Sequence, residues 1–191
     1  GSLQIRNVGT IAGNIATASP IGDALPLLLS LDAKIVIQGI NKKKVYSLNN
    51  FFISYRKTKL KKSEFIYSIQ IPLSKENIFK AYKISKRFDD DISSVCGSFN
   101  FLIKKNKITK VSIAYGGMSE IPKRAAIIEK NLIDSEFSEN TFNKAINFMD
   151  KDFSPLDDMR ASRNYRLTVA KNLLLKAFYE IKDKKNIRIH S

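Results

Sequence analysis

Hydrophobic and polar positions alternate through much of this chain and recur at helical spacing near its end, and the two periods together predict an α+β architecture. Residues 33–38 (Ala33-Lys34-Ile35-Val36-Ile37-Gln38) and 44–48 (Lys44-Val45-Tyr46-Ser47-Leu48) alternate on either side of a turn at 39–43, the pattern of a β-hairpin. Residues 64–71 predict another strand, which Pro72 ends because proline cannot donate to a ladder. Ahead of the hairpin, residues 5–14 read as a strand-like start running into a small-residue loop, Gly9-Thr10-Ile11-Ala12-Gly13-Asn14. A second turn follows, Ser19-Pro20-Ile21-Gly22-Asp23, with Asp23 expected to cap a helix over 24–31 and Pro26 tolerated in its first turn. Asn49 or Asn50 is expected to cap a short helical turn containing Phe51, Phe52 and Tyr55.

The rhythm changes after Pro72. Ser74-Lys75-Glu76-Asn77 is polar and turn-rich, which suggests a boundary between a first domain, 1–75, and a second, 76–183, with a basic tail over 184–191. Strands are expected over 79–85, 92–103 and 108–115, forming a three-stranded antiparallel meander. Helices follow over 123–132, over 140–149 behind a Ser138 or Asn140 cap, and over 162–182. In the last, Tyr165, Val169, Leu173 and Phe178 make an apolar stripe that a sheet face could bury.

Composition narrows the chemistry. With 191 residues, 43% of them hydrophobic, the chain can support one substantial core or two small ones. The most apolar stretch, 24–31, is far shorter than the roughly twenty residues a membrane span needs. No signal-peptide pattern opens the chain, so a cytoplasmic location is expected, and the lack of an initiator Met suggests a start in mid-domain. Cys96 is the only cysteine, which excludes an internal disulfide or iron–sulfur site, and it reads as a buried inert thiol. His190 is the only histidine, so serine or cysteine catalysis with a histidine base is not expected, and neither is a metal site. The net charge of +15 invites nucleic acid, but the lysines are scattered over turns and strand ends with no nucleic-acid-binding motif. A dinucleotide diphosphate or an acidic partner subunit suits that field better.

By itself the 9–14 loop is either a tight turn or a diphosphate loop, since it lacks both the P-loop ending and the three-glycine fingerprint. The run Arg6-Asn7-Val8-Gly9-Thr10-Ile11-Ala12-Gly13-Asn14-Ile15, followed by Ser19-Pro20-Ile21-Gly22-Asp23, resembles the second FAD loop of the xanthine dehydrogenase, aldehyde oxidase and carbon monoxide dehydrogenase flavoproteins. The resemblance continues in order through Tyr55-Arg56-Lys57-Thr58, residues 64–72, residues 82–92, Ala114-Tyr115-Gly116-Gly117-Met118, Pro122-Lys123-Arg124-Ala125 and Asp158-Met159-Arg160-Ala161-Ser162. The strings at 87–92 and 158–162 point to the bacterial xanthine dehydrogenase small-subunit type.

The resemblance implies the C-terminal part of a PCMH-type FAD-binding domain, followed by a three-stranded antiparallel sheet with a helical layer. It implies that Thr10, Ile11, Ala12, Gly13 and Asn14 wrap the FAD diphosphate and ribityl region and that Asp23 bonds nearby. The family usually has glycine where Ala12 stands, a departure that matters only if that backbone needs positive φ. Ile66 matches a residue packed on the isoalloxazine, though periodicity alone makes it plain core, and Lys83 matches a lysine near the flavin, though alone it is a solvated strand charge. Arg87, Phe88, Asp89, Asp90 and Asp91 read alone as a solvated turn, and by resemblance as a flavin-adjacent loop that helps decide whether NAD+ or dioxygen receives electrons. No residue here is expected to be catalytic in its own right, because hydride transfer belongs to the cofactor. The implied function is electron transfer from [2Fe-2S] clusters through FAD to NAD+ during xanthine or hypoxanthine oxidation. The clusters and molybdenum cofactor would be carried by an iron–sulfur domain or subunit and a large subunit. The alternatives are a flavoprotein of aldehyde oxidase or carbon monoxide dehydrogenase type, or a non-catalytic assembly module.

Overall fold

A computed structural model describes residues 2–88 and 90–186, so Asp89, His190 and most of the expected basic tail lie outside the described residues. The first third forms helices α1 (Leu3–Val8), α2 (Ile11–Thr17) and α3 (Ala24–Ser30), then a three-stranded antiparallel sheet. That sheet holds β1 (Lys34–Gln38) between β2 (Lys43–Ser47) and β5 (Phe65–Gln70), with a small hairpin of β3 (Phe52–Ser54) and β4 (Lys57–Thr58) beside it. Ile35 and Ile37 of β1 join Ile15, Leu25, Leu29, Leu48 and Phe51 in a first buried core.

A second sheet runs β6 (Ile78–Ile84), β7 (Val95–Lys104), β8 (Lys107–Gly116) and β9 (Lys123–Arg124), all antiparallel. The expected meander is there, with a two-residue fourth strand added. Its strands feed opposite faces alternately. Val95, Phe99, Phe101, Val111, Ile113 and Tyr115 point to a core covered by α4 (Ala126–Leu132), α5 (Glu139–Ala145), α6 (Met149–Asp152) and α7 (Arg163–Lys182). Each such large apolar side chain contributes about 1.5–3 kcal/mol on burial. The other face carries Cys96, Ser98, Asn100, Ala114 and Gly116, small or polar residues against which α3 sits. Ser30 and Ser98 share a 2.6 Å hydrogen bond there, and the Asn100 amide donates to the Ser30 carbonyl at 3.0 Å.

Several local expectations need correction. Residues 5–14 are two short helices rather than strand and loop: Ser2 caps α1, and the Thr10 hydroxyl accepts the Gly13 N–H at 2.9 Å to cap α2. Gly9 lies in extended backbone between the helices, where a side chain would meet the Ile5 carbonyl oxygen at 2.8 Å. Asp23 precedes α3 but makes no capping bond, as its carboxylate is engaged elsewhere. Asn49 and Asn50 lie within a 3-10 turn (Leu48–Asn50) that follows Ser47, and Phe52 already belongs to β3. Residues 92–94 precede β7 rather than extending it. Lys123 and Arg124 form β9, so the helix starts at Ala126; the Arg124 guanidinium is drawn onto Glu129 and Asp32 at 2.8 and 2.6 Å. The helix expected over 140–149 starts behind the Ser138 cap and breaks at Ala145 into a 3-10 turn before α6.

Candidate functional site

A groove of about 590 Å³ runs between α1–α2, the turn at 21–24, β6 and the acidic turn at 90–92. Thr10, Ile11, Gly13, Asn14, Asp23, Lys83, Asp90 and Asp91 all line it, so residues up to 81 positions apart in sequence meet in one cleft. Arg6, Thr17 and Gly22 line it too, and sequence reasoning had not singled them out. Gly22 was legible as a turn residue; its function in the wall is close approach, since a Cβ there would meet both amide atoms of Asn14 at 3.1 Å. Ala12 stands inside α2, where φ is negative, so the methyl replacing the family's glycine carries no backbone strain. Ile66 pairs with Ile37 across the sheet and packs against the first core, away from the groove lining.

The far wall is polar and tightly connected. Lys83 on β6 donates to Asp23 Oδ2 at 2.7 Å and to the Asp91 carbonyl at 2.6 Å, so the expected solvated charge is in fact committed to two partners. Ser93 donates to the other Asp23 oxygen. Asp91 folds the acidic stretch into a closed turn by accepting the backbone N–H groups of Arg87 and Ile92, both at 2.9 Å. The Arg87 N–H, opposed by burial and aided by the Ile92 N–H and the Arg87 guanidinium, holds the Asp91 carboxyl below its ordinary range. Asp90 sits at φ 51°, a left-handed conformation uncommon outside glycine. Phe88 is fully exposed.

Cys96 lies buried behind this wall, its thiol 3.8 Å from the Asp23 carbonyl. Burial, assisted by the Asp23 carboxylate, pushes the thiol up to about 12. It is therefore no nucleophile, as its sequence setting suggested. We expect Ellman's reagent to leave Cys96 unreacted in the folded protein and to titrate it after denaturation. Because the folded value lies above the ordinary 9.0, stability is complete below that value and falls as pH rises from 9.0 towards 12.

Beyond the acidic turn a second cavity of about 480 Å³ is lined by Lys86, Ser94 and residues 158–162. Beside it Arg166 is only 2% exposed; it binds the Ser94 and Gly117 carbonyls and, at 2.7 Å, Asp158. Sequence reasoning missed Arg166. A signal existed, because it stands four residues before Ala170 and eight before Leu174 on the buried stripe of α7. Among the described residues no group of three or more His, Cys, Asp or Glu is placed to hold a metal ion. None of the described helices is long and apolar enough to cross a membrane.

Comparison with known proteins agrees with this architecture. Residues 1–74 match the FAD binding domain in molybdopterin dehydrogenase, and residues 80–181 match the CO dehydrogenase flavoprotein C-terminal domain. The chain is 36% identical over 155 residues to a xanthine dehydrogenase of Emericella nidulans, covering 79% of this chain and 11% of the relative. It is 30% identical to the glyceraldehyde dehydrogenase medium chain of Sulfolobus acidocaldarius, covering 95% of this chain and 64% of that one. The fold superimposes on a chain of reconstituted CO dehydrogenase from Oligotropha carboxidovorans with a TM-score of 0.88 at 22% identity, covering 95% and 64% of the two chains. This chain thus spans only part of each relative. The two matched regions, which together cover most of the chain, and the 30% identity to the medium chain lead to one conclusion: the chain belongs to the flavoprotein family of the xanthine and carbon monoxide dehydrogenases.

Proposed function

We propose that this chain carries FAD for a molybdenum-containing xanthine dehydrogenase, receiving electrons from iron–sulfur clusters on a partner chain or segment and delivering them to NAD+ in the cytoplasm. Hypoxanthine or xanthine would be oxidised on a molybdenum-cofactor large subunit. The division of the chain near residue 75 belongs to the same reading and is supported by the turn-rich stretch between β5 and β6.

The observation that carries the proposal is Asn14. Its side-chain oxygen is buried in the groove wall with no hydrogen-bond partner among the described residues, a costly state that a ligand donor relieves. The remaining groups suit an elongated nucleotide: the Thr10 hydroxyl at the head of α2 at one end, the Asp23 carboxylate and Lys83 ammonium at the other. With FAD bound, Asp23 would be the acceptor for a ligand hydroxyl, Lys83 the donor to a ligand carbonyl, and Asn14 Oδ1 an acceptor between them. FAD bound there would supply the two-electron chemistry that no side chain of this protein offers. Ile11, 55% exposed in the groove lining, would cover part of a bound ligand from water.

Flavin fluorescence quenching on titration with the purified chain tests the proposal. We expect saturable quenching, weakened about tenfold in Asn14→Leu, the factor of one lost buried hydrogen bond. FAD fluorescence unchanged at stoichiometric protein would sink it. A second reading, the medium chain of an aldehyde- or carbon monoxide-oxidising enzyme, is favoured by the 64% of the glyceraldehyde dehydrogenase medium chain that this chain spans. Anaerobic NADH bleaches bound flavin under the first reading and leaves it yellow under the second.

A further inference from the structure

The turn at 19–23 brings Ile21, Gly22 and Asp23 to the groove, and the second sheet supports it from behind. The Gly117 N–H donates to the Pro20 carbonyl at 2.8 Å, and the Ser93 hydroxyl donates to the Asp23 carboxylate. Lys83 adds its ion pair to the same carboxylate from β6. Gly117 and Ser94, the neighbour of Ser93, stand just outside the β7–β8 ladder, which ends at the Cys96–Gly116 pair. Past that pair their two carbonyls share one donor: Arg166 Nη1 binds both, that of Gly117 at 3.1 Å. The Ser94 N–H is taken by the Ile84 carbonyl at 2.8 Å, so β6 holds one side of this residue and Arg166 the other.

A guanidinium is a costly group for this place. Arg166 stands on the buried stripe of α7 with Ala170 and Leu174, it is 2% exposed, and its Nε has no hydrogen-bond partner among the described residues. An apolar side chain would continue the stripe with no charge to desolvate. It could not hold two backbone carbonyls at a set separation, as the Arg166 fork does while Asp158 orients its other arm at 2.7 Å.

We infer that Arg166 is a positioning residue for the groove: by clamping the open end of β7 and β8 it sets where Ser93 and Gly117 stand, and through them where the 19–23 turn presents Asp23 to a ligand. It touches no groove residue itself and acts through two backbone carbonyls. The inference rests on the flavin reading for the ligand, and on the bonds from Arg166 through Ser94 and Gly117 to Asp23 and Pro20 for its mechanism.

Quenching of FAD fluorescence by the full chain, measured well below the melting temperature of each variant, tests it. Arg166→Met should weaken FAD binding about fivefold, within the range over which residues that touch no ligand alter a coupled site. Ser93→Ala, which leaves Arg166 in place, should weaken it about fivefold as well, the factor of one hydrogen bond. The two together should weaken it by clearly less than the product of the separate factors, because they act on one link. Arg166→Lys keeps three donors but loses the planar fork. It should recover part of the affinity and keep the coupling to Ser93→Ala, which covers the case of Arg166→Met failing to fold. Tyr115→Phe removes a different buried bond to α7, the 2.8 Å one to the Ala170 carbonyl, so it should lower Tm and leave FAD affinity within about twofold. Unchanged affinity in both Arg166 variants overturns the inference. So do Ser93 and Arg166 effects that simply multiply, or a loss in Tyr115→Phe as large as in Arg166→Met, which would mark general softening. In each of these cases FAD bound to the wild type leaves the flavin reading standing, and FAD that fails to bind the wild type removes both.

Discussion

Gly117→Ala should lower stability by about 3–5 kcal/mol, the sum of left-handed strain and a displaced buried hydrogen bond. Gly117 lies just after β8 at φ 81°, in the region that favours glycine. An added methyl would also press into the Ser94 carbonyl and lie 2.9 Å from Arg166 Nη1. Neither is the free end of a flexible chain: Ser94 is tied to β6 through the Ile84 carbonyl at 2.8 Å, and Arg166 is fixed by burial. For a chain of this length such a loss lowers Tm by on the order of 10 °C. Thermal melting followed by circular dichroism reads it directly, and a Tm within about 3 °C of wild type would refute the steric account.

Arg166→Met should cost about 2–5 kcal/mol, because it takes the donor from two backbone carbonyls, each orphaned acceptor costing about 1–3 kcal/mol. The Ser94 and Gly117 carbonyls lose their donor, and Asp158 loses its cation. The effect should also be visible in acid. Burial works against the Asp158 anion, but the backbone N–H groups of Arg160 and Ala161 and the Arg166 guanidinium outweigh it and hold the carboxyl below the ordinary 3.8. Stability from this group is therefore complete above 3.8 and lost as pH falls through the lower folded value. Wild type should lose stability more steeply below that point than Asp158→Asn, and Arg166→Met should shrink the loss, because without the cation the folded Asp158 value moves back towards 3.8. Parallel acid limbs in all three proteins would count against the pairing.

Long periodic elements were legible in the sequence because their pattern is their cause. β7 and β8 alternate over ten residues each, and α7 repeats its stripe over 20, so no other arrangement buries those side chains. The misread elements are short. α1 and α2 have six and seven residues, too few for a period to emerge, and they stand on caps from Ser2 and Thr10. The three-residue spacing from Thr10 to Gly13 was the available sign, obscured by small residues that also suit a loop. The groove was legible only in pieces. Nothing local joins Asp23 to Lys83, 60 positions away, and that long-range pair is what keeps Asp23 from capping α3. The resemblance supplied the connection that local chemistry could not.

The seam where α3 meets the second sheet has a consequence for how the two cores cooperate. Ser30 bonds Ser98 and Asn100 across it, and Asn100 Oδ1 and Ser112 Oγ are buried with no hydrogen-bond partner among the described residues. The polar atoms in this joint can be met by water, so opening that part of it costs less than opening an apolar contact of equal area. The cleft is lined by elements from both sides of that joint. Loosening at the polar part of this joint would therefore be felt first as a change in the width of the cleft.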